Sequence, residues 1–165
     1  MTADGREHPV DTIVLATGFA ATDYLHGLDV VGLGGRRLAD DWARVPHAYL
    51  GLTVSGYPNF FMLYGPNTNQ GANSIIVMLE AQAAYVLGAL RAMRRHRAHV
   101  VDVRRDVMEG YNRELADALA GTVWNNGCQS YFKNANGKIA TQLPQTSNWY
   151  VQRTKRFRMR EYVRS

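Results

Sequence analysis

The chain has 165 residues, of which 46% are hydrophobic and 20% are charged, a balance typical of a globular protein rather than a disordered one. Its single cysteine, Cys128, excludes an internal disulfide framework and favours a reducing, cytoplasmic location. The formal net charge of +5 favours an anionic ligand, namely nucleic acid, a membrane surface or a phosphate-bearing cofactor. No signal peptide is expected, because the opening residues are polar.

The first predicted element is a buried strand in the stretch VDTIVLATGF, residues 10–19. An Asp4-Gly5 turn precedes it and predicts a β-hairpin arm. The apolar run over residues 11–16 predicts a strand that is covered on both faces, as in a parallel sheet. Parallel neighbours need crossover connections. We therefore expect its partners to come from later in the chain, from another chain or from missing sequence.

The stretch VVGLGGRR, residues 30–37, resembles a dinucleotide-binding fingerprint but fails at the third glycine, where Arg37 stands. The residues that follow also lack the apolar spacing of a crossover helix. A glycine-rich hairpin turn is therefore the prediction for this stretch.

A second short strand is predicted over NFFMLYG, residues 59–65, followed by the loop PNTNQGANS and a long helix from about Ser74 to Arg95. Ser74 or Asn73 can cap this helix. Arginines crowd its last turn, where they complement the helix dipole. Its expected buried face consists of Ile75, Met78, Leu79, Gln82, Val86, Leu90 and Met93.

We expect this helix to be buried rather than to span a membrane, because its apolar region is short for a span and contains Glu80 and Gln82. Both polar side chains should then bond to neighbouring backbone or loops. The five histidines and Cys128 show no metal-ligand spacing. Surface positions are expected for the histidines, and a buried packing position for the cysteine.

The remaining chain predicts a strand from His99 to Val103 and a second helix from Asp106 to Leu119. Asn, Gly, Trp, Tyr and Gln dominate after residue 121, which indicates irregular structure and short strands. The final run RTKRFRMREYVR suits a polyanion by its charge, but no recognition fold accompanies it. A solvated strand or tail is the preferred interpretation.

Several stretches in order resemble the class B flavoprotein monooxygenases of the flavin-containing monooxygenase superfamily, and among them the Baeyer–Villiger monooxygenases. ATGF at residues 16–19 is similar to the motif that ends the strand linking the family's two nucleotide-binding domains. GYPNFFMLYGPNTNQGANSII, EAQAAYV and the segment TVWNNGCQSYFKNANGKIATQLPQTSNWYVQRTKRF match later landmarks. The resemblance covers nearly the whole chain.

The resemblance implies an α/β fold, the C-terminal part of a flavoprotein with two Rossmann-like dinucleotide-binding domains. The family's glycine fingerprints for FAD and NADP, its signature motif and its catalytic arginine are not found in this sequence, so no catalytic residue is assigned. The implied organisation has four parts: a closing strand at the domain junction over residues 1–26, a connecting hairpin and linker over 27–58, the C-terminal part of the FAD domain over 59–120, and a C-terminal segment over 121–165.

The implied cofactors are FAD and NADPH, and the isolated chain is expected to bind neither well. The resemblance places the following residues at the cofactors: Thr17, Gly18, Phe19, Asn67, Thr68, Asn69, Ser74 and Tyr131. Loop 65–74 presents backbone N–H groups at the start of a helix, which suits an electron-rich group such as the flavin's pyrimidine edge. Ordinary helix capping is the alternative for this loop, and a plain turn is the alternative for Gly18.

One departure concerns Tyr131, because many Baeyer–Villiger enzymes have serine-tryptophan-tyrosine where this chain has Ser130-Tyr131-Phe132. The family's tryptophan reaches the NADP ribose, so the role of Tyr131 stays open. The resemblance implies a monooxygenase that inserts an O2-derived oxygen into a ketone or oxidises a heteroatom. A split enzyme that needs a partner chain, such as a missing N-terminal half, and a non-catalytic basic binding module are the alternatives. No nucleic-acid partner is expected.

Overall fold

The computed structural model describes residues 5–18, 20–25, 27–71, 73–125, 132–134 and 136–165. Four helices are present in this part of the chain: α1 Leu38–Asp41, α2 Ile75–His96, α3 Arg105–Ala120 and α4 Ser147–Thr154. Two strands, β1 Val101–Val103 and β2 Tyr162–Arg164, form an antiparallel pair. Short 3-10 turns occur at Leu33–Gly35, Val123–Asn125 and Met159–Glu161.

The long helix α2 confirms the sequence prediction closely. The N–H of Ser74 donates to Asn73 Oδ1 over 2.7 Å, whereas the Ser74 side chain makes no capping bond. The helix ends at His96, and the next residue, Arg97, adopts a left-handed backbone conformation with φ +52° and donates its N–H to carbonyls of the last turn. The basic last turn lies where it offsets the helix dipole.

One face of α2 packs against α4, with the two helices running in the same direction. The predicted face was wrong in part, because Leu90 is 54% exposed. Beyond the end of α4, the ring of Phe157 lies 5.3 Å from the ring of Tyr85 between centroids. The buried residues of this face are Met78, Gln82, Tyr85, Ala89 and Ala92.

The strand predicted over residues 99–103 is confirmed as β1, three residues long. Val103 pairs with Tyr162 and Val101 with Arg164, so part of the basic final run forms the predicted strand. The predicted helix over residues 106–119 is confirmed as α3. The glycine-rich stretch forms the predicted hairpin turn, closed by an antiparallel bridge between Val31 and Arg37.

Two predicted strands were wrong. Residues 11–16 form no strand, and Ile13, Val14 and Leu15 are 76%, 83% and 82% exposed. An extended segment becomes a strand only by pairing, and no described residue pairs with it. Residues 59–65 instead follow turns, because their N–H groups bond to scattered carbonyls such as those of Val101 and Leu52.

The prediction that α2 is a buried helix was also wrong in part. Its 22 residues are long and apolar enough to cross a membrane by length and composition, and only 28% of the most apolar window is buried within the chain. Glu80 is exposed. Gln82 confirms the prediction for buried polar groups, because its Oε1 accepts from the Tyr64 N–H over 2.9 Å and its Nε2 donates to the Tyr150 hydroxyl over 3.0 Å.

The segment predicted as a linker contributes much of the core. Residues 48–57 form a tight turn closed by an antiparallel bridge between Tyr49 and Thr53, and the tyrosine ring stacks edge-on against Tyr111 and Tyr162. Its buried hydrophobic residues are Ala48, Tyr49, Leu50, Leu52, Val54 and Tyr57. The core therefore forms where this turn meets α2, α3 and β2.

Candidate functional site

Loop 65–74, which precedes α2, is fixed by backbone bonds to the distant segment 139–147. The N–H groups of Asn67 and Asn69 donate to the carbonyls of Ala140 and Thr141 over 2.8 Å and 2.9 Å. The Leu143 N–H donates to the Asn69 carbonyl over 2.8 Å. Asn69 and Gln142 thereby form a parallel bridge. The N–H groups at residues 67 and 69 are used within the chain and are not free for a ligand.

The side chains of Asn67 and Thr68 face the interior. Asn67 Nδ2 donates to the carbonyls of Ile139 and Gln142 over 3.2 Å and 3.0 Å, and its backbone is left-handed with φ +56°. Thr68 is fully buried, and its hydroxyl donates to the Gly65 carbonyl over 2.7 Å. Both side chains therefore hold the shape of the loop.

The second half of the loop is joined to the start of α4. Gln70 Nε2 donates to the Gln145 carbonyl over 2.5 Å, and the Ser147 hydroxyl donates to Gln70 Oε1. Asn73 Nδ2 donates to the Ser147 hydroxyl over 2.6 Å. The N–H groups of Gln70 and Gly71 have no acceptor among the described residues. Gln70 and Gly71 line a second cavity next to the start of α4, together with Asn73 and Ser147.

A cavity of about 510 Å³ opens beside the loop. The Tyr64 hydroxyl donates to Asn69 Oδ1 over 2.9 Å, and the Tyr24 hydroxyl donates to the Ala140 carbonyl over 3.2 Å. Burial raises the pKa of Tyr24 above its ordinary value. The hydroxyl of Thr141 is buried and unpartnered. The cavity is lined by Ala21, Tyr24, Tyr64, Gly65, Asn69, Phe132 and Thr141.

Gly51 lets the core turn at residues 48–57 touch the back of the loop. Its φ is +65°, and a Cβ at this position would overlap Thr68 Cγ2 and lie 2.8 Å from the Pro66 carbonyl oxygen. Only glycine satisfies both demands without strain. The sequence alone gave no sign of this contact, because it joins residues distant in the chain.

The structure brings together only some of the predicted site residues. Gly18 has φ +82° and no neighbour close to a Cβ position, and it is exposed together with Thr17. Neither makes a hydrogen bond to loop 65–74 within the described residues. Phe19 and Tyr131 lie outside the described residues, as does Cys128. No cluster of metal-ligating side chains occurs in the described part of the chain.

This chain is similar to one segment of flavin-dependent monooxygenases, although no family model matches it. The FAD-binding monooxygenase ktnD of Aspergillus niger is 41% identical over 97% of this chain, which spans 27% of that relative. A Baeyer-Villiger monooxygenase of Pseudomonas aeruginosa is 43% identical over 86% of this chain, which again spans 27% of the relative. The chain thus spans about a quarter of the length of these relatives.

Solved structures support the same fold. A steroid monooxygenase bound to NADP matches 97% of this chain and 31% of its own, with a TM-score of 0.80 and 26% identity. OTEMO in complex with FAD and NADP matches 85% of this chain and 26% of its own, with a TM-score of 0.74 and 26% identity. The prediction that the chain has the fold of part of an FAD- and NADP-binding flavoprotein is confirmed.

Proposed function

We propose that this chain, a homologue of one part of the Baeyer–Villiger monooxygenases, supplies the C-terminal portion of an FAD- and NADPH-dependent monooxygenase. The complete enzyme would insert one O2-derived oxygen into a ketone or oxidise a heteroatom. The observation that carries the proposal is the agreement of sequence and structure: 41% identity over 97% of the chain with one relative and a TM-score of 0.80 with another. The single chain then needs the preceding portion, in the same polypeptide or in a partner.

The residues beside the cavity fit an oxidised or reduced flavin ring system. The unpartnered Thr141 hydroxyl supplies a donor, and Tyr24 and Tyr64 supply aromatic surface. When bound, FAD supplies the electron transfer and the oxygen chemistry, which no side chain can supply. This chain's residues position the ring and limit the access of water.

The predicted cofactor residues of loop 65–74 divide into two kinds. Asn69 and Ser74 have the exposure to approach the flavin. Asn67 and Thr68 act by holding the loop's backbone, because their side chains are buried and bonded within the protein. Thr17, Gly18, Phe19 and Tyr131 stay predictions for flavin or NADP contact. The cytoplasmic location and the absence of a membrane span also stay predictions.

One observation favours a second candidate, a non-catalytic basic binding module. Cations without an acidic partner among the described residues crowd the end of α2 and the final segment. The residues concerned are Arg91, Arg94, Arg95, Arg97, Lys155, Arg156, Arg160 and Arg164. A colourless protein that binds polyanions tightly and in a salt-sensitive manner would support this candidate.

The test is a chimera in which this chain replaces the matching segment of the Pseudomonas aeruginosa relative. We expect a yellow protein that oxidises NADPH and oxygenates a ketone that the parent relative accepts. Gly18→Val should reduce flavin occupancy, because a β-branched residue is strained at a positive φ. Gly137→Val, at the positive-φ turn of another loop, is the matched control. A folded, colourless chimera beside a yellow parent would refute the proposal.

A redox measurement on the same chimera tests the loop. Asn69→Ala should lower the flavin's reduction potential by some tens of millivolts if it removes a bond that favours the reduced ring, since about 30 mV corresponds to roughly 1.4 kcal/mol for two electrons. Thr68→Ala should change the potential little, because the Thr68 hydroxyl bonds to the Gly65 carbonyl inside the protein, and so should Ser74→Ala if Ser74 serves only the helix start. A potential unmoved by Asn69→Ala at full flavin loading would place this loop away from the flavin.

A further inference from the structure

The outer face of α2 carries a second apolar stripe, opposite the face that packs on α4. Ile76, Ala83, Leu87 and Leu90 define this outer stripe. At 100° per residue they lie about half a turn of the helix away from Met78 and the rest of the buried face. The side chains of Ile76, Leu87 and Leu90 are 57%, 52% and 54% exposed.

Two apolar faces on one helix indicate that the helix packs on both sides. A surface helix normally carries polar residues on its outer face, yet charged residues in α2 are confined to Glu80 and the last turn and a half. Ala83 and Ala84 are small and exposed and lie at or beside the outer stripe, so another backbone can approach closely. The stripe therefore has the composition of an interface and not of a solvated surface.

Glu80 lies within this stripe and has no ion-pair partner among the described residues. The neighbours one helical turn away, Ile76, Ala83 and Ala84, carry no cation. The nearest arginine of the helix, Arg91, is eleven residues further on, about 16 Å along the axis. A covered carboxylate is costly unless it is paired, so whatever covers the stripe must bring a donor to Glu80.

Protein is a better occupant than lipid. The inner face of α2 is tied to the rest of the chain through Gln82, which bonds to the Tyr64 backbone and the Tyr150 hydroxyl, so the helix stays on the body of the protein. A carboxylate in the middle of the outer stripe also disfavours lipid. The relatives from Aspergillus niger and Pseudomonas aeruginosa are longer than this chain, which spans 27% of each. They therefore contain ample polypeptide to cover the stripe.

We propose that the outer stripe of α2 docks against the portion of the monooxygenase that lies outside the matched segment, and that Glu80 accepts a hydrogen bond or ion pair from a donor on that surface. The inference rests on the proposed function for its partner. The inference goes beyond the proposed function by naming the contact surface and by assigning Glu80 the role of fixing the register of the two surfaces. A misaligned complex would leave Glu80 buried and unpaired.

The test uses the Pseudomonas aeruginosa relative truncated to its unmatched portion as the binding partner of the full 165-residue chain. Binding is measured by titration with fluorescently labelled chain. Leu87→Asp and Glu80→Lys should each weaken binding at least tenfold, and Glu80→Gln should weaken it less, because an amide still accepts a hydrogen bond. Leu33→Asp and Glu114→Lys, at exposed positions away from α2, are the matched controls and should bind as the unaltered chain does.

Each variant's own melting curve shows whether it folds, and exposed positions should leave the midpoint nearly unchanged. Equal weakening by stripe and control variants, or none by Leu87→Asp, would overturn the inference. Flotation of the chain with lipid vesicles, or a dimer that Leu87→Asp dissociates, would assign the stripe to lipid or to a second copy instead. A complex that depends on the outer stripe but binds no flavin would support the docking surface and refute the proposed flavoenzyme function. A yellow chimera that Leu87→Asp leaves unchanged would support the flavoenzyme function and refute the docking surface.

Discussion

Replacing Asn67 by alanine should strongly destabilise the protein, even if this residue never touches a flavin. The amide donates two hydrogen bonds, to the carbonyls of Ile139 and Gln142. Each contributes about 0.5–1.5 kcal/mol. The left-handed backbone at φ +56° adds roughly 1–2 kcal/mol for alanine. The free energy of unfolding should therefore fall by about 2–5 kcal/mol.

The assay is urea denaturation followed by tryptophan fluorescence, with Asn67→Gly as the matched control. Glycine also removes both hydrogen bonds but accepts a positive φ without strain. If the backbone conformation matters as described, the glycine variant should be more stable than the alanine variant. An alanine variant within about 0.5 kcal/mol of the unaltered chain, the usual range for surface substitutions, would refute the assignment of Asn67 as the residue that joins the two segments.

Three further predictions concern the same core. Gln142 is fully buried with neither amide atom bonded, so Gln142→Leu should raise the unfolding free energy by about 1–3 kcal/mol; a lower urea midpoint would show that the amide is satisfied. Gly51→Ala should lower the thermal midpoint far more than Gly34→Ala, because both have positive φ but only Gly51 lacks space for a Cβ; equal losses would contradict the close approach. Burial raises the pKa of Tyr162 from 10.0 to about 12, which means that the folded protein favours the neutral phenol. Its stabilising contribution to the free energy of unfolding is therefore complete below pH 10 and is lost as pH rises towards 12; an unchanged urea midpoint between pH 9 and 11.5 would contradict this.

The elements that sequence predicted well are those with local causes. Helices α2 and α3 show an apolar period near 3.6 over many residues, and the hairpin at residues 30–37 has its glycines in place. The bounds of these helices differ from the prediction by one residue at each end. The left-handed residue after α2, Arg97, could not be predicted, because no glycine marks it.

The missed features depend on contacts between distant segments. The turn at residues 48–57 resembles a linker in sequence, and it enters the core only because α3 and β2 supply Tyr111 and Tyr162 as ring partners. Helix α4 is eight residues long and begins at a threonine cap, Thr146, within a polar stretch. Short helices have little stability of their own, and α4 exists through its packing on α2.

The candidate site shows the same limit in its chemistry. Sequence drew attention to loop 65–74, but the residue type could not show which asparagine faces inward. Asn67 and Asn69 are the same residue type, but they differ in their contacts. The Asn67 side-chain amide donates to the Ile139 carbonyl, whereas the Asn69 side chain accepts a hydrogen bond from the Tyr64 hydroxyl. A bond of one asparagine to a carbonyl 72 residues away leaves no local signal.

The exposed apolar segment at residues 11–16 is the clearest case in which sequence and structure together say more than either alone. Its composition favours burial on two faces, while its backbone pairs with no strand among the described residues. The outer stripe of α2 has the same property in helical form. Two elements of different kinds, each apolar on a face that the described residues leave exposed, are explained together by the proposed docking to the rest of the monooxygenase. Under that proposal the docking portion offers both a sheet edge for residues 11–16 and an apolar surface with a donor for Glu80.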